Sequence, residues 1–165
     1  MKNALFTALL IALFFTACRS DEEQIQRIDQ VIQLYIDSAG TDLLNQNVEG
    51  HYSNIRMNDV YGLTDNAPLN FTLMKDADTL NYIEYIAGAR RILIDSTTTQ
   101  NVYESKIAMF LTKQLSDSTD TIVNDTLSLR YRSAPDIFEI SEVYYNNILK
   151  FRKTYAGPNL VRVSK

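Results

Sequence analysis

After one opening apolar run, the hydrophobic residues fall into short stretches that alternate with polar ones at a period of two, and turn formers separate the stretches. Residues 31–37 (Val-Ile-Gln-Leu-Tyr-Ile-Asp) are rich in β-branched side chains and stop at Ser38-Ala39-Gly40-Thr41, which predicts a strand running into a turn. Asp42-Leu43-Leu44-Asn45 follows, then a polar stretch to about residue 54 that holds the only histidine, His51. A weaker strand is expected over 55–61 and a loop over 62–68. Leu69, Phe71 and Leu73 then share one face of a strand over 69–74, which is expected to pair with 80–87 through a four-residue loop. Gly88 punctuates, residues 91–94 predict a strand and 95–101 a loop. Over 102–115, Ile107, Phe110 and Leu111 fit a helical face while Ile107, Met109 and Leu111 fit a strand face; strands on both flanks favour the strand. Residues 116–125 read as a polar loop or short edge strand. Residues 126–132 place Leu127, Leu129 and Tyr131 on one side, and Pro135 ends that segment. Residues 137–145 lead into Asn146-Asn147, a pair that tolerates the positive φ of a type I′ turn, and 148–152 return as a hairpin. About eight to ten short strands with no helical segment between them predict an all-β fold, an antiparallel β-sandwich of immunoglobulin-like or transthyretin-like kind.

The opening run changes the picture of where the chain resides. Met1-Lys2-Asn3 is a short basic start, and residues 4–17 carry no charge. That is the length of a signal-peptide core and too short to span a bilayer as a helix, so 1–17 is expected to be a signal helix rather than part of the fold. The run ends in small residues directly before Cys18, the only cysteine, and resembles the lipobox of bacterial lipoproteins. The resemblance implies cleavage after Ala17, diacylation of the Cys18 sulfur and acylation, by palmitate or its like, of the new amine. Two or more acyl chains hold a protein stably at a membrane. Arg19 in place of Asp after the cysteine resembles the pattern sorted to the bacterial outer membrane, and Ser20-Asp21-Glu22-Glu23 resembles the acidic surface-export signal of Bacteroidetes lipoproteins. Residues 18–29 therefore read as a lipidated cysteine with a flexible acidic tether reaching on the order of 20 Å, and 30–165 as a single domain.

Charge and composition exclude several chemistries. Loss of residues 1–17 removes one lysine and no acid, which takes the net charge from −4 to −5 and leaves 148 of 165 residues, enough for one domain with a real core. An acidic body argues against nucleic acid as a partner, since that needs clustered Lys and Arg. With Cys18 consumed by lipid there is no disulfide, thiolate nucleophile or sulfur ligand. A Ser-His-Asp site would need His51, and no Gly-x-Ser-x-Gly elbow is present; a lone histidine in a polar loop reads as a surface residue, and one histidine cannot build a histidine zinc site. Five scattered glycines form no phosphate loop, and no cofactor is expected. Asp117, Asp120 and Asp125 are a candidate calcium set, although aspartate is common in loops for its own backbone hydrogen bonds. Glu84, Glu104, Glu139 and Glu142 are the carboxylates that a glycoside hydrolase would need to bring together in space, though solvated strand faces carry such residues as well.

Three short segments carry a family likeness: Asp37-Ser38-Ala39-Gly40-Thr41-Asp42-Leu43-Leu44-Asn45, Ser118-Thr119-Asp120-Thr121-Ile122 and Val143-Tyr144-Tyr145-Asn146-Asn147. Together they resemble a family of small, uncharacterised outer-membrane lipoproteins of Bacteroidetes, whose members carry a Gly-Asp-Leu-Leu-Asn turn, a Thr-Asp-Thr-Ile segment and a terminal Val-Trp-Tyr-Asn-Gly hairpin. Tyr144 and Asn147 stand here where Trp and Gly are usual. The resemblance implies an address and a fold and brings no enzymatic activity. Ser38, Thr79, Ser96, Ser118, Thr121 and Thr126 each follow an aspartate, a pairing that resembles the O-glycosylation signal of exported Bacteroidetes proteins and also makes good turns.

Two functions follow as expectations. The first is a lipid-anchored, surface-exposed binding or accessory module without catalysis. Its loops or tyrosines (Tyr82, Tyr85, Tyr103, Tyr131, Tyr144, Tyr145) would meet a glycan, a peptide or an outer-membrane protein partner. The second is a small envelope hydrolase using carboxylates alone. A cleft holding two carboxylates within about 10 Å would favour the hydrolase, and an exposed aromatic patch the binding module.

Overall fold

The computed structural model describes residues 25–165 except 117 and 118, and leaves out the side chains of 114–116. The signal segment, Cys18 and most of the acidic tether lie outside the described residues. In chain order the strands are β1 (Arg27–Asp29), β2 (Val31–Ser38), β3 (Thr41–Asp42), β4 (Tyr52–Asp59), β5 (Pro68–Leu69), β6 (Thr72–Lys75) and β7 (Asn81–Ile86). They continue as β8 (Ile92–Ser96), β9 (Asn101–Ser116), β10 (Thr119–Ala134), β11 (Ile137–Tyr145), β12 (Ile148–Arg152) and β13 (Asn159–Ser164). The described residues contain no helix.

The strands form a β-sandwich. An eight-stranded sheet runs β1-β11-β10-β9-β4-β5, with β12 sharing β11's outer edge with β1 and β8 sharing an edge of β9 with β4. A five-stranded sheet runs β13-β2-β7-β6, with β3 against β2. Alternation drives the packing. Ile32, Leu34, Ile36, Ile83, Tyr85, Val161 and Val163 of the smaller sheet face Met57, Ile107, Met109, Leu111, Leu127, Leu129, Tyr131, Ile140, Val143 and Tyr145 of the larger in one buried cluster. Each such aliphatic side chain contributes roughly 1.5–3 kcal/mol by leaving water.

Local turn chemistry acts as the sequence predicts. Asn146 and Asn147 take φ values of 50° and 65° between β11 and β12, and Ala39 and Gly40 take 50° and 82° between β2 and β3, the positive pair that a type I′ hairpin requires. The hairpin expected of 69–74 and 80–87 forms only in part: β6 pairs with β7 in the smaller sheet, while Leu69 belongs to β5 against β4 of the larger sheet and does not share a strand face with the exposed Leu73. The β6–β7 turn is held by Asp76, whose Oδ1 accepts from the amides of Asp78 and Leu80 at 3.0 and 2.9 Å.

Several expectations are corrected. Residues 119–125, expected as a polar loop or a short edge strand, are the first part of a long inner strand: β9 and β10 each run sixteen residues and pair from Asn101–Ser133 to Ser116–Thr119. Toward the tip of that hairpin Asp120, Ile122 and Asn124 on one face are exposed, and Thr119, Thr121 and Val123 on the other are exposed or only half-buried, so the buried-exposed alternation fades while the backbone ladder continues. The sandwich is not wholly antiparallel either, since β1 runs parallel to β11 and β13 parallel to β2. Finally, Arg27–Asp29 belongs to the sheet rather than to a free tether; the Arg27 amide donates to the Asp136 carbonyl at 3.0 Å.

Candidate functional site

The most elaborate polar surface lies on the outer face of the larger sheet. Leu129 and Tyr131 of β10 point into the core, so Arg130 and Arg132 point out. On β11 the register shifts between the partners of Arg130 and Tyr131, and Ser141 is the extra residue. This bulge lets Glu139 and Glu142, three apart in sequence, both face outward. Register then sets two rows of side chains. Glu104 of β9, Arg130, Glu142 and Arg152 of β12 lie side by side across four strands, with alternating charge. The second row is Val102, Arg132 and Glu139, with Arg27 of β1 beside them.

Distances show how these groups hold each other. Arg130 Nε lies 3.6 Å from Glu104 Oε2, and its Nη1 lies 3.3 Å from Glu142 Oε2. Arg152 reaches Glu142 Oε1 at 2.9 Å. Glu139 is buried and accepts from Arg132 at 2.5 Å and from Arg27 at 3.4 Å. The Arg130 guanidinium sits 4.8 Å over the Tyr144 ring, whose hydroxyl donates to Glu142 Oε2 at 2.6 Å. The Tyr61 hydroxyl donates to Glu104 Oε1 at 2.9 Å. At one end Lys153 is fixed by Asp29 at 2.7 Å and by Asn159 Oδ1 at 2.9 Å. A groove of about 760 Å³ runs over this surface, with Ile94, Val102 and the exposed Tyr155 among its lining residues.

The electrostatics bear on chemistry. The hydrogen bond from Tyr144 holds the Glu142 carboxyl below its ordinary pKa; Arg152 and Arg130 act in the same direction against the opposing effect of partial burial. The same bond raises the Tyr144 phenol. A glycosidic general acid needs a carboxyl displaced upward, and Glu142 is displaced the other way. Glu104 and Glu139 have their oxygens committed to tyrosine and arginine. Three of the four glutamates singled out from sequence are thus on one face, but as partners of cations; Glu84 lies on the smaller sheet, in register with Gln33 and Thr72.

The tyrosines do not form the expected exposed face. Tyr82, Tyr85, Tyr131 and Tyr145 are buried. Tyr82 packs on Tyr35 with ring centroids 5.3 Å apart. The Tyr85 hydroxyl accepts from the amides of Gly88 and Ala89 at 3.1 and 2.9 Å, and burial pushes its pKa up to about 12. The Tyr131 hydroxyl pairs with Ser105 Oγ at 2.8 Å, and the Tyr145 hydroxyl donates to Asp125 at 2.7 Å. Tyr103 is half-buried against the core, which leaves Tyr144 as the one tyrosine of the six in the charged rows. Phenols suit strand interiors when the hydroxyl finds a partner, and here it does.

The aspartates separate too. Asp125 is buried and held by Tyr145, Asn146 and Lys165, while Asp120 lies exposed five residues earlier on the same strand, about 17 Å away and on the opposite face. Asp117 lies outside the described residues, and among the described residues no three His, Cys, Asp or Glu side chains gather as a metal site. His51 is half-buried, with Nδ1 2.7 Å from the Val48 carbonyl in its own loop. Of the hydroxyls that follow aspartate, Thr79 and Ser96 are exposed beside turns, and Ser38 donates to the Lys165 carbonyl at 3.1 Å. Thr121 and Thr126 lie on β10, partly buried, and Ser118 lies outside the described residues.

Arg27, Arg130, Arg132, Arg152 and Tyr155 are the residues that reading by motif misses. The available signal is the pattern Arg130-x-Arg132 on an amphipathic strand followed within one hairpin by Glu139 and Glu142, a charge row that only register makes visible. No protein-family model, no curated protein and no solved structure matches the chain.

Proposed function

We propose that the chain is a lipid-anchored envelope protein, held at the outer membrane through Cys18 with its domain on the cell-surface side. In this reading the outer face of its larger sheet binds a polar partner, a glycan or an outer-membrane protein, without catalysis. The observation that carries the binding site is the groove of about 760 Å³ over Arg130, Arg132, Glu139 and Glu142. Its volume falls in the range typical of ligand sites, and its polar groups are fixed by one another before any ligand arrives. The acidic stretch after Cys18 and the absence of a helix long and apolar enough to cross a membrane among the described residues are compatible with tethering by lipid. The alternative, a carboxylate-dependent hydrolase, is opposed by the engagement of both oxygens of Glu139 and of Glu142 by arginines and a phenol.

Photo-crosslinking tests the site. A benzoylphenylalanine replacing Tyr155, on the rim of the groove, is expected to capture an envelope component in intact cells. The same group replacing Ile86, exposed on the smaller sheet, is expected to capture none. Equal capture at both positions, or none at Tyr155, would remove the groove from the argument.

A further inference from the structure

We infer that the groove takes a carboxylate-bearing oligosaccharide, a chain containing uronic acid, with the guanidinium groups of Arg27 and Arg132 as its receptors. The inference rests on the reading of the groove as a ligand site and adds the chemical class of the ligand.

The argument is a balance of donors and acceptors. Both oxygens of Glu139 are engaged, one by Arg132 and one by Arg27. Both oxygens of Glu142 are engaged as well, Oε1 by Arg152 and Oε2 by Arg130 and Tyr144. The four carboxylate oxygens of Glu139 and Glu142 are therefore all engaged. The donors are not. A guanidinium carries five N–H groups in a rigid fork. Arg27 and Arg132 each direct one nitrogen to Glu139 and make no other side-chain hydrogen bond among the described residues. Their side chains are 58% and 46% exposed, so the remaining donors are open to a ligand.

Charge points the same way. Arg27 and Arg132, two cations, share the single carboxylate of Glu139, whereas Lys153 is paired with Asp29 and Arg130 with Glu104 and Glu142, so the excess of positive charge lies at the two open guanidinium groups. A carboxylate presents two oxygens at the spacing of a guanidinium fork, and such charge-assisted pairs are about twice as strong as neutral hydrogen bonds. The rest of the lining suits a sugar rather than a bare anion or a membrane. Tyr155, 71% exposed, and Ile94, 42% exposed, both line the groove and offer apolar surface to the flat side of a pyranose ring.

The test uses the full chain in detergent micelles and calorimetric titration with oligogalacturonate and oligoglucuronate, each compared with its methyl ester, the same sugar without the charge. At least one acid is expected to bind about tenfold or more tighter than its ester, with affinity falling as sodium chloride is added. Arg27→Gln is expected to weaken that binding by about tenfold, since one charge-assisted bond is lost. Glu139→Gln is expected to tighten it several-fold, because a competing fixed acid disappears; a damaged fold would weaken binding instead. Equal affinity for acid and ester overturns the inference and leaves the groove as a ligand site. Failure of both acids overturns it too, and crosslinking at Tyr155 then decides separately whether the groove binds anything.

Discussion

Asp125 offers the sharpest perturbation of the fold, because it ties three parts of the chain together at one end of the sandwich. Its carboxylate, 6% exposed, accepts from the Tyr145 hydroxyl at 2.7 Å and from Asn146 Nδ2 at 2.6 Å, and pairs with the Lys165 ammonium. In Asp125→Ala the Tyr145 hydroxyl, in a residue only 2% exposed, loses its acceptor where water does not reach, a cost of about 1–3 kcal/mol. Asn146 is exposed and Lys165 partly so, and both recover water, which limits their combined loss to about 1 kcal/mol. The expected total is about 3 kcal/mol, or a fall in Tm on the order of 10 °C for a domain of this size. Lys165→Met keeps the Tyr145 and Asn146 bonds and is expected to cost about 1 kcal/mol. The pH dependence supplies a second check. Burial alone would raise the Asp125 pKa, but the hydrogen bonds from Asn146, Lys165 and Tyr145 together with the Lys165 charge leave it below its ordinary 3.8. A carboxyl whose folded pKa lies below its unfolded value stabilises the fold above the unfolded value and loses that contribution as pH falls through the folded one. The stability gap between the parent protein and Asp125→Asn is therefore expected to be constant above about pH 5 and to shrink below about pH 4. Urea unfolding followed by circular dichroism reads both. A cost under about 1 kcal/mol for Asp125→Ala, or a gap that does not narrow in acid, would refute the reasoning.

Three further outcomes are expected. Thr79 sits at a φ of 67°, where a β-branched side chain is strained, so Thr79→Gly should raise stability by about 0.5–1 kcal/mol in urea titration of unmodified protein. Tyr131→Phe leaves Ser105 Oγ, fully buried, without its 2.8 Å partner and should cost about 1–2 kcal/mol by the same measurement. Arg152 is 61% exposed in its pair with Glu142, so Arg152→Gln should change stability by less than about 0.5 kcal/mol in a thermal melt.

Legibility in the sequence followed the range of the forces involved. The Asn146-Asn147 turn, the β6–β7 hairpin and the Leu127-Leu129-Tyr131 face were readable because each is decided by neighbours within a few residues. The outer half of the β9–β10 hairpin was not, because Thr119 to Asn124 bury little and the periodic signal vanishes where a partner strand alone maintains the structure. β13, whose Asn159, Val161 and Val163 alternate inward, finds its place only through a parallel ladder to β2, more than a hundred residues earlier. The tyrosines show a different failure. Composition cannot tell a phenol that stacks on a ligand from one that hands its hydroxyl to Ser105 or Asp125 inside a core. The groove was illegible for a third reason: Arg27 and Glu139 meet across 112 residues of sequence, and the bulge at Ser141 decides which acids face outward. Glu104, Glu139 and Glu142 were therefore visible as candidates, while the arginines that determine their chemistry were not.

In the proposed function the chain is held to a bilayer through Cys18 and presents the charged face of its larger sheet outward. Metabolic labelling with radioactive palmitate in the native cell, comparing the parent chain with Cys18→Ser, tests that most directly. Label is expected on the parent protein, and its complete loss, together with release from the membrane fraction, in the variant. Label that persists in the serine variant, or a parent chain that takes up none, would contradict that anchoring.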